Sequence, residues 1–222
     1  MSVAALIFDF DGVIADSEAP ANRLLAESLT QLGLPTSYET ALTDYCGKRW
    51  SDCAGLIEAR LGCPLPEQWV TERQRELEAY CLDGLPPVGG VGDFLDAHGH
   101  ISKAVASSSE LDWLTVLLAR FGFDHHFGEH VYSAAGLARG KPHPDIYLNV
   151  ASALGVEPAA CVVIEDSPTG AAAGIAAGMT VIGLLAASHI RDGHAERLRA
   201  VGVEHLAEDY AAVSRLVAKF SG

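Results

Sequence analysis

Short runs of consecutive apolar residues alternate with helical spacing along most of this chain. Val3-Ala4-Ala5-Leu6-Ile7-Phe8 stays apolar until Asp9, Asp11 and Gly12 close it, as in a strand buried on both faces. Cys161-Val162-Val163-Ile164, closed by Glu165-Asp166, repeats that pattern. Lys103-Ala104-Val105-Ala106, Thr180-Val181-Ile182-Gly183-Leu184 and the short His130-Val131-Tyr132-Ser133 are further strand candidates. Between them, Leu111, Leu114, Leu118 and Phe121 mark one helix stopped by Gly122. Pro144 opens a second, with Ile146, Tyr147, Val150, Ala151 and Leu154 before Gly155. Pro168 opens a third that ends at Gly178. This alternation predicts an α/β fold with a doubly wound, Rossmann-like parallel sheet.

Residues 18–83 lack strand signals. Ala21, Leu24, Leu25 and Leu32 precede Gly33; Leu56, Ile57 and Leu61 precede Gly62; Trp69, Val70, Leu77, Tyr80 and Cys81 precede Gly84. Helices alone, inserted after the first strand and closed by Leu85-Pro86-Pro87-Val88, predict a helical cap over residues 16–84. The α/β core then takes residues 1–15 and 85–222. Gly89-Gly90-Val91-Gly92 is read as a hinge, because no phosphate-loop Lys-Ser/Thr follows it.

With 222 residues, 49% of them hydrophobic, the chain can bury a large domain or one domain with a small accessory. Asp+Glu 29 against Lys+Arg 15, a net charge of −14, disfavours nucleic acid and anionic membranes as partners. An anionic ligand would need locally gathered cations or a recruited metal. The apolar N-terminal run has no basic segment and is too short for a signal peptide. Residues 167–188 carry no charge, but Pro168 and several glycines make them a buried helix and strand rather than a membrane span. The five cysteines, Cys46, Cys53, Cys63, Cys81 and Cys161, form no metal-binding spacing and are read as small buried thiols of a cytoplasmic protein. His126 and His130, four apart, are read as solvent-exposed, with Asp124 and His125 in a loop.

The candidate chemistry lies where strands end. Parallel α/β sheets bind ligands beyond the carboxyl ends of their strands. If the strands ending in Asp9-Phe10-Asp11 and Glu165-Asp166 are neighbours, four carboxylates meet, and only a cation makes that tolerable. Hard oxygen donors favour Mg²⁺. Ser107 and Ser108, between a strand and a helix, offer a hydroxyl and N–H groups to an anion. Lys141, on a loop stiffened by Pro142 and Pro144, offers the balancing charge. Residue chemistry alone reaches an anion-and-Mg²⁺ site without choosing a nucleophile.

Four segments in order, Asp9-Phe10-Asp11-Gly12-Val13-Ile14-Ala15-Asp16-Ser17-Glu18, Val105-Ala106-Ser107-Ser108-Ser109, Gly140-Lys141-Pro142-His143-Pro144-Asp145 and Val163-Ile164-Glu165-Asp166-Ser167, resemble the signature motifs of the haloacid dehalogenase-like superfamily. Within it they resemble the phosphatase and β-phosphoglucomutase-like branch, which carries an inserted helical cap. The resemblance covers essentially the whole chain. It implies that Asp9 is the nucleophile forming an aspartyl-phosphate and that Asp11 is the general acid and base. It implies Mg²⁺ held by Asp9, the Asp11 carbonyl, Glu165 and Asp166, and phosphoryl oxygens held by Ser107 and Lys141 with N–H groups near Gly12 and Ser108.

Asp11 and the Glu165-Asp166 pair argue against dehalogenation, which needs neither. A mutase of this branch has a His where Ala21 stands, and a Lys and an Arg flanking a cap glycine where Cys46 and Trp50 stand around Gly47. Hydrolysis of a small phosphorylated metabolite, a sugar or polyol phosphate, is therefore the expected activity, ahead of a sugar phosphate mutase or an idle phosphate-binding protein. Lys48, Arg49 and Trp50 are the expected cap specificity residues, and a monomer is expected.

Overall fold

The structure, a computed structural model, describes residues 3–222; the N-terminal reading at Met1 and Ser2 lies outside them. Strands β1 (Ala5–Phe8), β2 (Ser102–Ser107), β3 (Val131–Ser133), β4 (Cys161–Glu165), β5 (Thr180–Leu184) and β6 (His205–Ala207) form a six-stranded sheet in the order β3-β2-β1-β4-β5-β6. Every pairing is parallel. The order reverses at β1, whose register sets Phe8 beside both Val105 and Ile164. Asp9, Ser107 and Glu165 therefore leave the same edge of three adjacent strands.

The unbroken apolar runs follow from burial on both faces. Leu6, Phe8, Val162 and Ile164 pack against α5 (Val91–Ala97), α6 (Leu111–Phe121) and α11 (Tyr210–Ser221). Ala5, Ile7, Cys161 and Val163 pack against α8 (Asp145–Leu154), α9 (Pro168–Ala176) and α10 (His194–Ala200). Small residues let α9 lie close to the sheet: a Cβ on Gly170 would fall 1.6 Å from a Glu165 carboxylate oxygen.

Four helices separate β1 from α5: α1 (Glu18–Gln31), α2 (Tyr38–Asp44), α3 (Trp50–Leu61) and α4 (Glu67–Gly84). They bury their own cluster, centred on Leu25, Leu29, Tyr45 and Ile57, apart from the two clusters flanking the sheet. The chain leaves and re-enters the core along paired segments, with Asp16 N–H on Pro86 O (3.1 Å) and Val88 N–H on Ile14 O (2.8 Å).

Several details differ from the sequence reading. Leu111, Leu56 and Tyr80 are exposed (47%, 41% and 49%) rather than on buried faces. Cys63 is exposed and Cys46 half-buried; only Cys53, Cys81 and Cys161 are buried thiols. Asp124 and His125 start a one-turn helix, α7 (Asp124–Phe127), not a loop. His126 is not solvent-exposed, since its side chain keeps 10% exposure and sits 3.2 Å from Asp96. Gly89 and Gly90 form the turn that starts α5, and Gly90 takes the left-handed conformation there. No described helix is long and apolar enough to cross a membrane.

Candidate active site

The ends of β1 and β2 open into a cleft of about 430 Å³, walled on the far side by helices α1, α3 and α4. Asp9, Asp11, Ser107 and Ser108 line it from the sheet side; Lys48 and Arg49, in the turn before α3, and Trp50, its first residue, line it from the opposite side. Asp9 Oδ1 accepts a bond from Lys141 Nζ (2.8 Å), which also donates to Glu165 Oε1 (2.7 Å). Both ion pairs are enclosed, the lysine side chain being 2% exposed. Burial would lower the Lys141 pKa, but the Asp9 and Glu165 charges outweigh it and hold the ammonium well above its usual range. Burial, reinforced by Glu165, pushes Asp9 well above the ordinary carboxylate range, and the same causes act on Asp166.

Asp11 is clamped from two sides. Ser17 Oγ donates to its Oδ1 (2.5 Å) and Ser109 Oγ to its Oδ2 (2.6 Å). Neither serine carried a role in the sequence reading. Their presence in the first two motifs was the available signal, but the approach across 98 positions is a product of the β1–β2 pairing.

Glu165 is fully occupied. Oε1 accepts from Lys141 and from Tyr147 Oη (2.9 Å); Oε2 accepts from Asp166 N, Ser167 N and Ser167 Oγ at 3.0–3.1 Å. This carboxylate sits at the N-terminus of α9, where N–H groups favour an anion. Asp166 is different. Its Oδ2 is buried with no hydrogen-bond partner, although His189 Nε2 lies 3.0 Å away. That contact is close but misaligned, and burial lowers the His189 pKa, so the ring is neutral near pH 7 and supplies no charge. His194 fixes the backbone beside it. Arg197 donates to its Nδ1 (2.8 Å), so the proton sits on Nε2, which bonds Asp166 O at 2.6 Å.

Asp9, Glu165 and Asp166 each offer one carboxylate oxygen, all within 4.8 Å of one another. Two carboxylates pushed toward protonation and an orphaned buried oxygen leave the cluster short of positive charge. Oxygen donors throughout fit a hard divalent cation such as Mg²⁺. Gly12, with φ +78°, lets the chain pass against this cluster, since a Cβ there would lie 2.0 Å from Asp166 Oδ2. Its own N–H bonds Ala15 O (2.7 Å), so of the backbone donors expected near Gly12 this one is engaged within the turn.

The helical side is less free than its charges suggest. Lys48 Nζ donates to Asp44 O (2.5 Å), and Arg49 pairs with Asp52 (3.0 Å) while reaching Leu137 O in the core (3.2 Å). Trp50 both lines the cleft and packs against Trp69. Glu18, overlooked in the sequence beyond its place in the first motif, ties α1 to the 46–48 turn by accepting from Gly47 N (3.0 Å) and Asn22 Nδ2 (2.8 Å).

Burial, then the Asp11 charge, raises Glu18 from 4.5 to about 7. The folded state thus holds this proton more tightly than the unfolded chain, and stability falls as pH rises through that window. The shift corresponds to roughly 3 kcal/mol above the window. Glu18→Gln should therefore flatten the fall in melting temperature between pH 5 and 8 and raise the metal-free value at pH 8. An unchanged pH slope would sink this assignment.

Residues 3–178 match the haloacid dehalogenase-like hydrolase family. Fructose-1-phosphate phosphatase YqaB of Escherichia coli (strain K12) is 32% identical over 179 residues, covering 81% of this chain and 95% of its own. Hexitol phosphatase B of the same strain is 34% identical over 184 residues, covering 81% and 82%. The crystal structure of a haloacid dehalogenase-like protein of unknown function from Agrobacterium tumefaciens str. C58 superposes with a TM-score of 0.85 at 31% identity, over 100% of both chains. The family match runs from the first strand through the helix after β4, and the chain belongs to the haloacid dehalogenase-like hydrolase family.

Proposed function

We propose that the protein is a Mg²⁺-dependent phosphatase that hydrolyses a small phosphate monoester, a sugar or polyol phosphate, through an aspartyl-phosphate on Asp9. The observation that carries this reading is the pairing of Asp9 with a doubly clamped Asp11 at the floor of one cleft. The substrates named for the fructose-1-phosphate and hexitol phosphatases support the substrate class.

An Asp9 carboxylate oxygen attacks phosphorus as the P–O bond to the leaving alcohol breaks, and Asp11 gives that alkoxide a proton. Asp11 then takes a proton from water, whose oxygen attacks the same phosphorus and breaks its bond to Asp9. Inorganic phosphate leaves and both side chains return to their first state. Ser107, Ser108 and Lys141 hold the phosphoryl oxygens through these steps. Asp9, Glu165, Asp166 and the Asp11 carbonyl would hold Mg²⁺, with Glu165 also bracing Lys141 and Ser167. When bound, the ion offsets negative charge on the transferring phosphoryl group.

Residues 16–84 act as a cap on the α/β core of residues 1–15 and 85–222. The paired segments 14–16 and 86–88 are the pivot, and closure shuts water out of the cleft. Five unpaired cysteines suit a reducing cytoplasm. Ala21 lines the cleft where a mutase of this branch has its His, which favours hydrolysis.

Phosphate release from a panel of sugar, polyol and short-chain acid monophosphates, with and without Mg²⁺, tests the reading. Mg²⁺-dependent release is the expected result. Conversion of a hexose 1-phosphate primed by a bisphosphate, without release, would replace it with a mutase. No turnover of any ester would leave only phosphate binding.

A further inference from the structure

One cation in the cleft is explained by neither the fold nor the phosphoryl site. Arg73 lies on α4 four residues after Trp69 and four before Leu77, at the spacing of that helix's apolar face. It is 9% exposed and its Nε is enclosed without a partner. Among the described residues it makes no ion pair. Glu78 and Glu110 share the cleft wall, yet neither pairs with it. Burial pushes its pKa below the usual guanidinium value, and the only neighbouring group acting on it is the Cys53 thiol. Lys48 and Arg49 stand in contrast, each held by a carbonyl or carboxylate.

An enclosed, uncompensated guanidinium is strongly unfavourable by itself. A chain with 29 acids leaves it unpaired where it faces the substrate cleft. Its carbon stacks 3.8 Å from the Trp50 ring centroid. That contact anchors the side chain, and none of its N–H donors has a hydrogen-bond partner among the described residues; a guanidinium can offer two of them to two oxygens of one anion.

We propose that Arg73 binds a second anionic group of the substrate, so that the preferred ester is a small phosphate monoester also carrying a carboxylate or a second phosphate. The inference rests on the phosphatase reading above and narrows it. It also gives Trp50 a role: the ring orients Arg73 rather than touching the ester itself.

Calorimetric titration with Mg²⁺ present, in the Asp9→Asn background to prevent turnover, tests the proposal. The probes are 6-phosphogluconate, a hexose bisphosphate and a hexitol phosphate, which share a phosphate ester and differ in the second anion. At least one charged probe should bind about 10–100-fold more tightly than the hexitol phosphate, as expected for a charge-assisted pair. Which one does so separates carboxylate from phosphate. Arg73→Met should bring the ratio near unity, and Arg73→Lys should leave it intermediate, because charge is kept while the fork is lost. Equal binding of all three probes, or an equal loss for all three in Arg73→Met, would overturn the assignment. If Arg73→Met fails to fold, the ratio in the parent protein and in Arg73→Lys decides. Phosphate release by the unsubstituted protein runs alongside. Selective binding without any release counts against the phosphatase reading alone; release without selectivity counts against Arg73 alone.

Discussion

Asp9→Asn is expected to remove phosphate release and, in the same protein, to raise the melting temperature of the metal-free form. The first effect follows from losing the proposed nucleophile, a loss of about 10⁴-fold or more when the attacking group of a covalent mechanism is removed. The second follows from the charge balance. Asp9 is enclosed, and burial together with Glu165 and Asp166 destabilises its ionised form by more than Lys141 recovers. Asn keeps the shape and can still accept from Lys141, which retains Glu165 at 2.7 Å. A gain of about 1–2 kcal/mol, or roughly 2–8 °C for a chain of this size, is expected without metal. Mg²⁺ should then raise the melting temperature less in Asp9→Asn than in the parent, because one ligand and one repelling charge are gone. A lower melting temperature in the variant, with the Mg²⁺ response intact, would show that the cluster is not short of positive charge. Stability given up at a reactive site is common, and here a single carboxylate carries both sides of it.

The same electrostatics explains which features could be read from the sequence. β1 and β4 stood out because an apolar run ends abruptly in acids, and that edge is where the sheet places its chemistry. β6 was missed because it is only three residues long, lies at the edge of the sheet and buries just Ala207 fully. The seven-residue α2 buries only Ala41, too little for a periodic signal. Leu111 misled because it is the first residue of α6, ahead of the stretch that the sheet covers. In the site, acids and Lys141 were legible by type, whereas their supports were not. Tyr147 reads as one more core residue of α8 until its hydroxyl is found on Glu165. His189 reads as a loop residue until the turn after β5 brings it against Asp166. Arg73 could have been noticed, being a charge on an apolar stripe. What made it informative was that no acid pairs with it among the described residues, which no sequence displays.

Lys141→Met is expected to destabilise the metal-free protein by about 3–5 kcal/mol near pH 8, the cost of leaving buried carboxylates without their counter-ion. Methionine fills similar space, so packing is nearly preserved and the loss isolates the charge. Asp9 loses its only side-chain donor among the described residues, while Glu165 keeps Tyr147 and the three donors at the start of α9. Without the ammonium, the folded-state pKa of Asp9 rises further above its unfolded value. The folded protein then binds more protons than the unfolded chain from the ordinary carboxylate range toward neutrality, so its stability falls as pH rises. The deficit against the parent should be small near pH 5, where these groups take up protons, and should widen toward pH 8. Melting curves in chelator at both pH values check this. A deficit that does not change with pH would mean that Lys141 acts through packing alone. Adding Mg²⁺ should restore part of the stability, because a divalent cation supplies charge to the same carboxylates. It should not restore turnover, expected to stay down by about 10²–10³-fold as for a lost oxyanion donor. The cation can neutralise Asp9 and Asp166, but it cannot stand where the lysine Nζ bridges Asp9 to Glu165. Recovery of stability without recovery of rate would therefore separate the two tasks of this lysine, balancing the acids and holding the phosphoryl group.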